Sequence, residues 1–213
     1  MRSAAPSFSK ILEACRELTA HLTDVVFIGG VAVYLHSLRK SLVTVRPEAS
    51  HDGDFAISFT DYGILKDEVE IVPNPRLGKH QMIYDDVEFD VYVDRLSRLV
   101  VPYDEIKAHA VTIEGIQVAC PEHVLVLKLE ALSDRKHSSK GDKDRRDVVK
   151  IGLLLGRHMN KQLIEPYIRD ALKKLLDETA KSAIFFDLCE HNAHIAKKAR
   201  TAFTAFVSEV PTS

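Results

Sequence analysis

VVFIGG, at residues 25–30, predicts the centre of the fold. Val25 to Ile28 is a short β-branched and aromatic run, which is typical of a buried strand, and Gly29-Gly30 lets the backbone turn tightly into a helix. A helix N-terminus carries unpaired N–H groups and the positive end of the helix dipole, and glycine leaves the approach open. We therefore expect Gly29 and Gly30 to form a phosphate-binding corner.

A pair of aspartates follows this corner at the start of a second predicted strand. Asp52 and Asp54 flank Gly53, and the run from Gly53 to Phe59 has the composition of a strand. Side chains two positions apart in a strand share a face and lie about 6.5 Å apart, so both carboxylates are expected to point to one place. A phosphate corner beside paired carboxylates indicates metal-assisted chemistry on a nucleoside triphosphate.

A third acidic position lies in VEFDVYV at residues 87–93. Strand alternation places Val87, Phe89, Val91 and Val93 on one face and the polar positions on the other. Asp90 is the candidate third carboxylate, and Glu88 stays an alternative because it shares that face. Taken alone, either residue is also typical of a solvated strand position.

The order of these elements resembles the core of the nucleotidyltransferase fold, the superfamily of DNA polymerase β. There a strand, a Gly-Gly or Gly-Ser turn and a helix precede an acid-x-acid strand and a later third acid. The resemblance implies that Asp52, Asp54 and Asp90 are catalytic carboxylates holding two Mg²⁺ ions, with Mn²⁺ as the alternative. Gly53 departs from the family, which commonly has a branched apolar residue there, and predicts a looser or kinked strand.

Later motifs resemble the AbiEii-like abortive-infection nucleotidyltransferase toxins. The order and spacing of three elements match those of the toxin family: PEHVLVLKLEAL at residues 121–132, then an arginine, then KDRRDVVKIGLLL at residues 143–155. By position Lys128, Arg135 and Asp147 are implied to bind the nucleotide. Two alternatives remain open: Lys128 reaches the surface as a snorkelling side chain, and Asp142 or Asp144 caps a solvated helix start.

The resemblance covers about residues 25–155 and implies a specific activity. We expect transfer of a nucleoside monophosphate from an NTP to an acceptor hydroxyl, which in relatives of this type is the tRNA 3′ end. It also implies a toxin neutralised by an antitoxin partner. The alternatives are a catalytically silent nucleotide-binding module and a small-molecule (antibiotic) nucleotidyltransferase.

The fold class expected is α+β, with a nucleotidyltransferase-like mixed sheet and flanking helices followed by a C-terminal helical bundle. A domain boundary near Pro121 divides a nucleotidyltransferase α/β domain, residues 1–120, from a helical domain, residues 121–213. In the second domain, apolar spacing predicts helices over residues 163–176 and 179–207. Their outer faces carry lysines that are typical of a solubilising surface and that could also track an RNA backbone.

Composition limits the class of protein. A net charge of −2 over 213 residues excludes a uniformly basic nucleic-acid binder but not a local basic patch. Three widely spaced cysteines predict a reducing compartment with no disulfide framework. No run approaches the roughly 18 apolar residues of a membrane span, so we expect a cytoplasmic protein with no membrane partner.

Overall fold

The computed structural model describes residues 6–39, 50 and 52–211. The backbone there forms two compact units. The first unit comprises residues 6–35, 50 and 52–120, and the second comprises residues 36–39 and 121–211. None of the described helices combines the length and the apolar composition that crossing a lipid bilayer requires.

A mixed sheet forms the first unit in the described part of the chain. Its strands are β1 (Val25–Ile28), β2 (Gly53–Ile57), β3 (Ile71–Asn74), β4 (Lys79–Tyr84), β5 (Val87–Val93), β6 (Val111–Ile113) and β7 (Ile116–Val118). They lie in the order β3-β4-β5-β2-β1-β7-β6. The pairs β2–β5 and β1–β7 are parallel, and the other neighbours are antiparallel. The accompanying helices are α1 (Phe8–His21), α2 (Gly29–Arg39), α3 (Phe59–Glu68) and α4 (Tyr103–Ala108).

Three phenylalanines on neighbouring strands form the core of one sheet face. Phe27, Phe55 and Phe89 are buried, with ring centroids 5.6 to 6.3 Å apart. The Phe89 ring takes the space that a Cβ on Gly53 would need. The register between β2 and β5 nevertheless continues without a break from the first residue of β2 to its last. The predicted kink at Gly53 is therefore wrong, since the glycine makes room for a ring.

The second predicted strand ends earlier than expected. β2 stops at Ile57, and Phe59 already belongs to α3. The cause is Ser58, whose hydroxyl accepts a hydrogen bond from the backbone N–H of Asp61 at 3.1 Å and caps the helix.

Helices make up the second unit. They are α5 (Pro121–Arg135), α6 (Ser139–Leu155), α7 (Asp170–Lys181), α8 (Ile184–Leu188) and α9 (Ala193–Glu209), with 3₁₀ turns at Gly156–His158 and Lys161–Leu163. α6 packs closely on α9, because a Cβ on Gly152 would come 2.6 Å from the Phe203 ring. The mixed sheet and the helical unit confirm the predicted α+β class.

Helix boundaries in this unit differ from the prediction at three places. The helix predicted over residues 163–176 is α7, which begins at Asp170 and ends at Lys181. α6 begins at Ser139, because the Ser138 hydroxyl accepts from the Gly141 N–H at 3.1 Å, so the charged segment is helical and neither Asp142 nor Asp144 is the cap. The long helix predicted over residues 179–207 is interrupted, since Glu190 and His191 have positive φ angles of 50° and 63° between α8 and α9.

Candidate active site

Asp54 and Asp90 are neighbours on one face of the sheet. They are register partners in the parallel pair β2–β5, and neighbouring strands lie about 4.8 Å apart. Asp54 also pairs with Ile28, the last residue of β1. The phenylalanine cluster occupies the opposite face. The structure therefore brings two of the three predicted catalytic carboxylates together where β1 meets α2.

Glu88, the alternative third acid, lies elsewhere. It pairs with Ile83 on β4, and the first pair between β2 and β5 is Gly53 with Phe89. Glu88 is exposed and lies one position beyond that pair. Of the two acids on this strand face, Asp90 is thus the one beside Asp54.

Asp54 also lies against the glycine corner. A Cβ on Gly29 would come 2.8 Å from Cγ of Asp54, and Gly29 has a φ of +66°, which side-chain-bearing residues rarely adopt. The space beside Gly29 was expected to stay open for a phosphate, but it holds a carboxylate of the same site. Gly30 is buried in the first turn of α2.

Two side chains from β4 hold the Asp90 carboxylate. The Lys79 ammonium forms an ion pair with Oδ2 of Asp90, and the Gln81 amide donates to Oδ1 at 3.1 Å. The Lys79 and Asp90 side chains are only 13% and 14% exposed. The largely shielded Lys79 ammonium therefore already compensates the negative charge of Asp90, one of the two neighbouring acids.

Sequence reasoning missed Lys79, although the signal was present. β4 and β5 are joined by Asp85 and Asp86, both with positive φ, as in a two-residue hairpin turn. Such a turn fixes the register, which places Gln81 opposite Asp90. Lys79 lies on the same face of β4, two residues away.

Asp52 does not lie in the strand with Asp54. It sits in a bend just before β2, where its Oδ1 accepts a hydrogen bond from the Ser50 hydroxyl at 3.1 Å. Among the described residues, no group of three or more His, Cys, Asp or Glu side chains gathers closely enough to hold a metal ion. Ser50 holds Asp52 and Lys79 holds Asp90, and the metal site of Asp52, Asp54 and Asp90 stays a prediction.

A second set of predicted residues meets inside the helical unit. Nζ of Lys128, on α5, lies 3.3 Å from Oδ1 of Asp144 and 2.8 Å from Oδ2 of Asp147, both on α6. Arg135 Nε donates to Asp144 at 2.6 Å. Lys150, which the sequence did not single out, lies 3.7 Å from Asp147. The helical spacing of the two aspartates directs both toward α5.

Burial distinguishes this cluster from a surface charge pattern. Lys128, Asp144, Asp147 and Lys150 are at most 7% exposed. The alternative that Lys128 snorkels to the surface is therefore wrong. Lys128, Arg135 and Lys150 are the cations seen beside these two carboxylates, and the Arg135 side chain is 43% exposed.

Solved structures of other proteins share this architecture, and three of them illustrate it. A proposed nucleotidyltransferase from H. pylori has a TM-score of 0.53 at 16% identity, covering 98% of this chain and 95% of that chain. JHP933 from Helicobacter pylori has a TM-score of 0.52 at 17% identity, covering 95% and 91%. The Megavirus polyadenylate synthase has a TM-score of 0.50 at 14% identity, covering 74% of this chain and 34% of its own.

No protein-family model matches the sequence, and no protein with a curated description matches it either. The narrower resemblance to AbiEii-like toxins stays a prediction. At the identities of the matching structures, what the likeness establishes is the fold. The chain has the nucleotidyltransferase fold.

Proposed function

We propose that this protein transfers a nucleoside monophosphate from an NTP to an acceptor hydroxyl. The observation that carries the proposal is the neighbouring pair Asp54 and Asp90 at the glycine corner of a nucleotidyltransferase fold. Like charges at this spacing repel and disfavour each other's ionisation unless cations compensate them. Lys79 compensates Asp90, and a divalent ion is the further cation that such a pair suits.

The donors present suit Mg²⁺, with Mn²⁺ as the alternative. Carboxylate oxygens are the protein ligands that Mg²⁺ prefers, and Asp54 and Asp90 would hold it with Asp52 as the predicted additional ligand. A bound Mg²⁺ neutralises charge on the triphosphate. Lys79 would release Asp90 on metal binding, and its ammonium would then be available to a phosphate oxygen.

In the helical unit, Lys128, Arg135 and Asp147 are the nucleotide-binding residues that the sequence resemblance implies. Asp147 holds the Lys128 ammonium in place, and Asp144 accepts a hydrogen bond from Arg135. An arginine that is partly exposed while anchored by a buried carboxylate is pre-oriented to donate to phosphate oxygens. The sequence resemblance suggests that the acceptor is tRNA or another RNA. It also suggests that the protein is a toxin with an antitoxin partner, and both remain predictions.

The experiment is incubation of the purified protein with each α-labelled NTP, Mg²⁺ and total tRNA. We expect metal-dependent labelling of RNA, abolished by Asp54→Asn and by Asp90→Asn. Glu88→Gln is the matched control, since it removes the same charge from the same face of β5, and it should keep the activity. Equal labelling by Asp90→Asn and by the unaltered protein would refute the assignment.

The ion pair between Lys79 and Asp90 favours a second candidate, a nucleotide-binding module that does not catalyse transfer. In that case Lys79 permanently replaces a metal ion on Asp90. Equilibrium dialysis would then detect bound NTP, whereas no acceptor, protein or RNA, would become labelled with any divalent metal.

A further inference from the structure

We propose that a groove beside α9 in the helical unit binds the sugar-phosphate backbone of a single-stranded nucleic acid. The groove has a volume of about 650 Å³. Its polar walls come from the 3₁₀ turn after α6 and from the exposed side of α9. Its lining includes Arg157, His194, Lys197, Lys198, Thr201 and Phe206.

The cations of this groove are not used to hold the fold together. Arg157, Lys197 and Lys198 are exposed, and no side chain among these three forms an ion pair or a hydrogen bond with a described residue. Glu209 is an acid close enough for Arg157 to lower its pKa, but the larger cause of that shift is the hydrogen bond from Lys161, at 2.8 Å. Lys197 and Lys198 thus present positive charge with no acid paired to them in the described part of the chain, and Arg157 adds a charge that Glu209 offsets only in part.

A second groove on another face of α9 shows the contrast. It is about as large, at about 640 Å³, and it also contains basic residues. There Lys173 donates to the carbonyl of Val210 at 2.8 Å, and Arg200 donates to the carbonyl of Ser182 at 2.8 Å. Asp177 also lines it. Because two of its cations stabilise the helical unit and an acid accompanies them, this second groove is a poor site for a polyanion.

The arrangement of the first groove suits a chain of phosphates. Positions 194, 197, 198 and 201 follow one ridge of α9, which spans about 10 Å, or roughly three nucleotides of a stacked strand. The aromatic ring of Phe206 is only 1% exposed, so it forms the floor and offers no face for stacking a base. We therefore expect contacts to phosphate and sugar with little base preference.

This groove would hold the acceptor of the proposed transfer, and only that role rests on the proposed function. Binding itself needs neither NTP nor metal. It is therefore measured with EDTA present, so that loss of binding and loss of transfer are separate results. An Asp54→Asn protein should lose transfer and still bind RNA.

The experiment is fluorescence anisotropy with a short, labelled, mixed-sequence single-stranded RNA, titrated at several salt concentrations. The test variant is Lys197→Gln/Lys198→Gln. The control is Lys174→Gln/Lys181→Gln, which removes the same charge from α7 of the same unit outside the groove. We expect the test variant to bind on the order of tenfold more weakly near physiological salt, with the slope of log K against log salt reduced by about 1.4.

Two results would overturn the proposal. Equal weakening by the test and control variants would mean that general surface charge, and not the groove, attracts RNA. The source of the phosphate is tested by repeating the titration with ATP and with pyrophosphate as competitors. The test variant could bind RNA as tightly as the unaltered protein and yet bind ATP and pyrophosphate more weakly. The groove would then be a site for free phosphates and not for a nucleic-acid backbone.

Discussion

The Asp54 carboxylate fills the place that a side chain on Gly29 would occupy, with Cγ of Asp54 2.8 Å from the position of that Cβ. Gly29 is the first residue of the glycine corner and Asp54 is the second residue of β2, so the two motifs predicted from the sequence are in direct contact. The glycine therefore positions the acid of the proposed site.

Replacing Gly29 by alanine should disturb both the backbone and Asp54. We expect a loss of roughly 1–3 kcal/mol in unfolding free energy from the positive φ, plus a further loss from the clash. Gly78→Ala is the matched control, because Gly78 has a φ of +62° and nothing near its absent Cβ. Urea unfolding of both variants measures the difference, and equal losses would show that Asp54 is not crowded.

Replacing Gly53 by alanine should destabilise the sheet through the Phe89 ring. Overpacking of this kind costs about 1–3 kcal/mol. Adding Phe89→Leu should restore part of that loss, because a smaller side chain vacates the space. Gly63→Ala, in α3 with open space around it, should instead stabilise by roughly 0.5–1 kcal/mol. A double-mutant cycle with no coupling between residues 53 and 89 would contradict the contact.

The fold could be predicted from local patterns to a large extent. VVFI, VEFDVYV and the helix starting at Pro121 have the bounds that alternation and helix-start rules give. Two of the errors lie where a capping side chain decided the outcome, as Ser58 did for β2 and Ser138 did for α6. In a sequence, the signal of a single serine is weaker than a strand pattern or a run of charges. One hydrogen bond accepted by the serine hydroxyl nevertheless fixes where the helix begins.

The candidate site was predicted less completely than the fold. The adjacency of Asp54 and Asp90 was expected from the resemblance to the nucleotidyltransferase fold, and alternation indicated only which face of its own strand Asp90 occupies. Lys79 was missed because it reaches Asp90 from a neighbouring strand, β4. Lys150 lies three residues from Asp147 in the same helix, so helical spacing could have shown that pair. Spacing along the chain shows which residues share a face, whereas partners on neighbouring elements depend on register and packing.

Lys128 should be essential for the stability of the helical unit. Lys128→Met would leave Asp144 and Asp147 buried with less compensating charge, and breaking a buried pair costs about 3–5 kcal/mol. Lys161→Met removes an exposed pair with Glu209 and should cost less than about 1 kcal/mol. Thermal unfolding compares the two, and a small effect at Lys128 would mean that Arg135 and Lys150 compensate both acids.

His80 should make stability depend on pH. Burial lowers the pKa of His80, and its Nδ1 is buried without a hydrogen-bond partner among the described residues. The folded protein therefore holds the neutral ring, whereas the unfolded chain binds a proton below about pH 6.5. Stability should be retained above that pH and fall as the pH drops through it. In His80→Asn that component should be absent, and an unchanged pH profile would contradict this origin.

Lys79 should compete with a divalent cation for Asp90. Without metal, Lys79→Met should lower the thermal unfolding midpoint, because the partly buried Asp90 carboxylate loses its cation beside Asp54. Added Mg²⁺ should then raise the midpoint of Lys79→Met more than that of the unaltered protein, since metal binding no longer displaces the lysine. Lys66→Met, an exposed change on α3, should show the same Mg²⁺ shift as the unaltered protein. If Mg²⁺ moved all three midpoints equally, Asp90 would not be a metal ligand, and the pair of Lys79 and Asp90 would be structural.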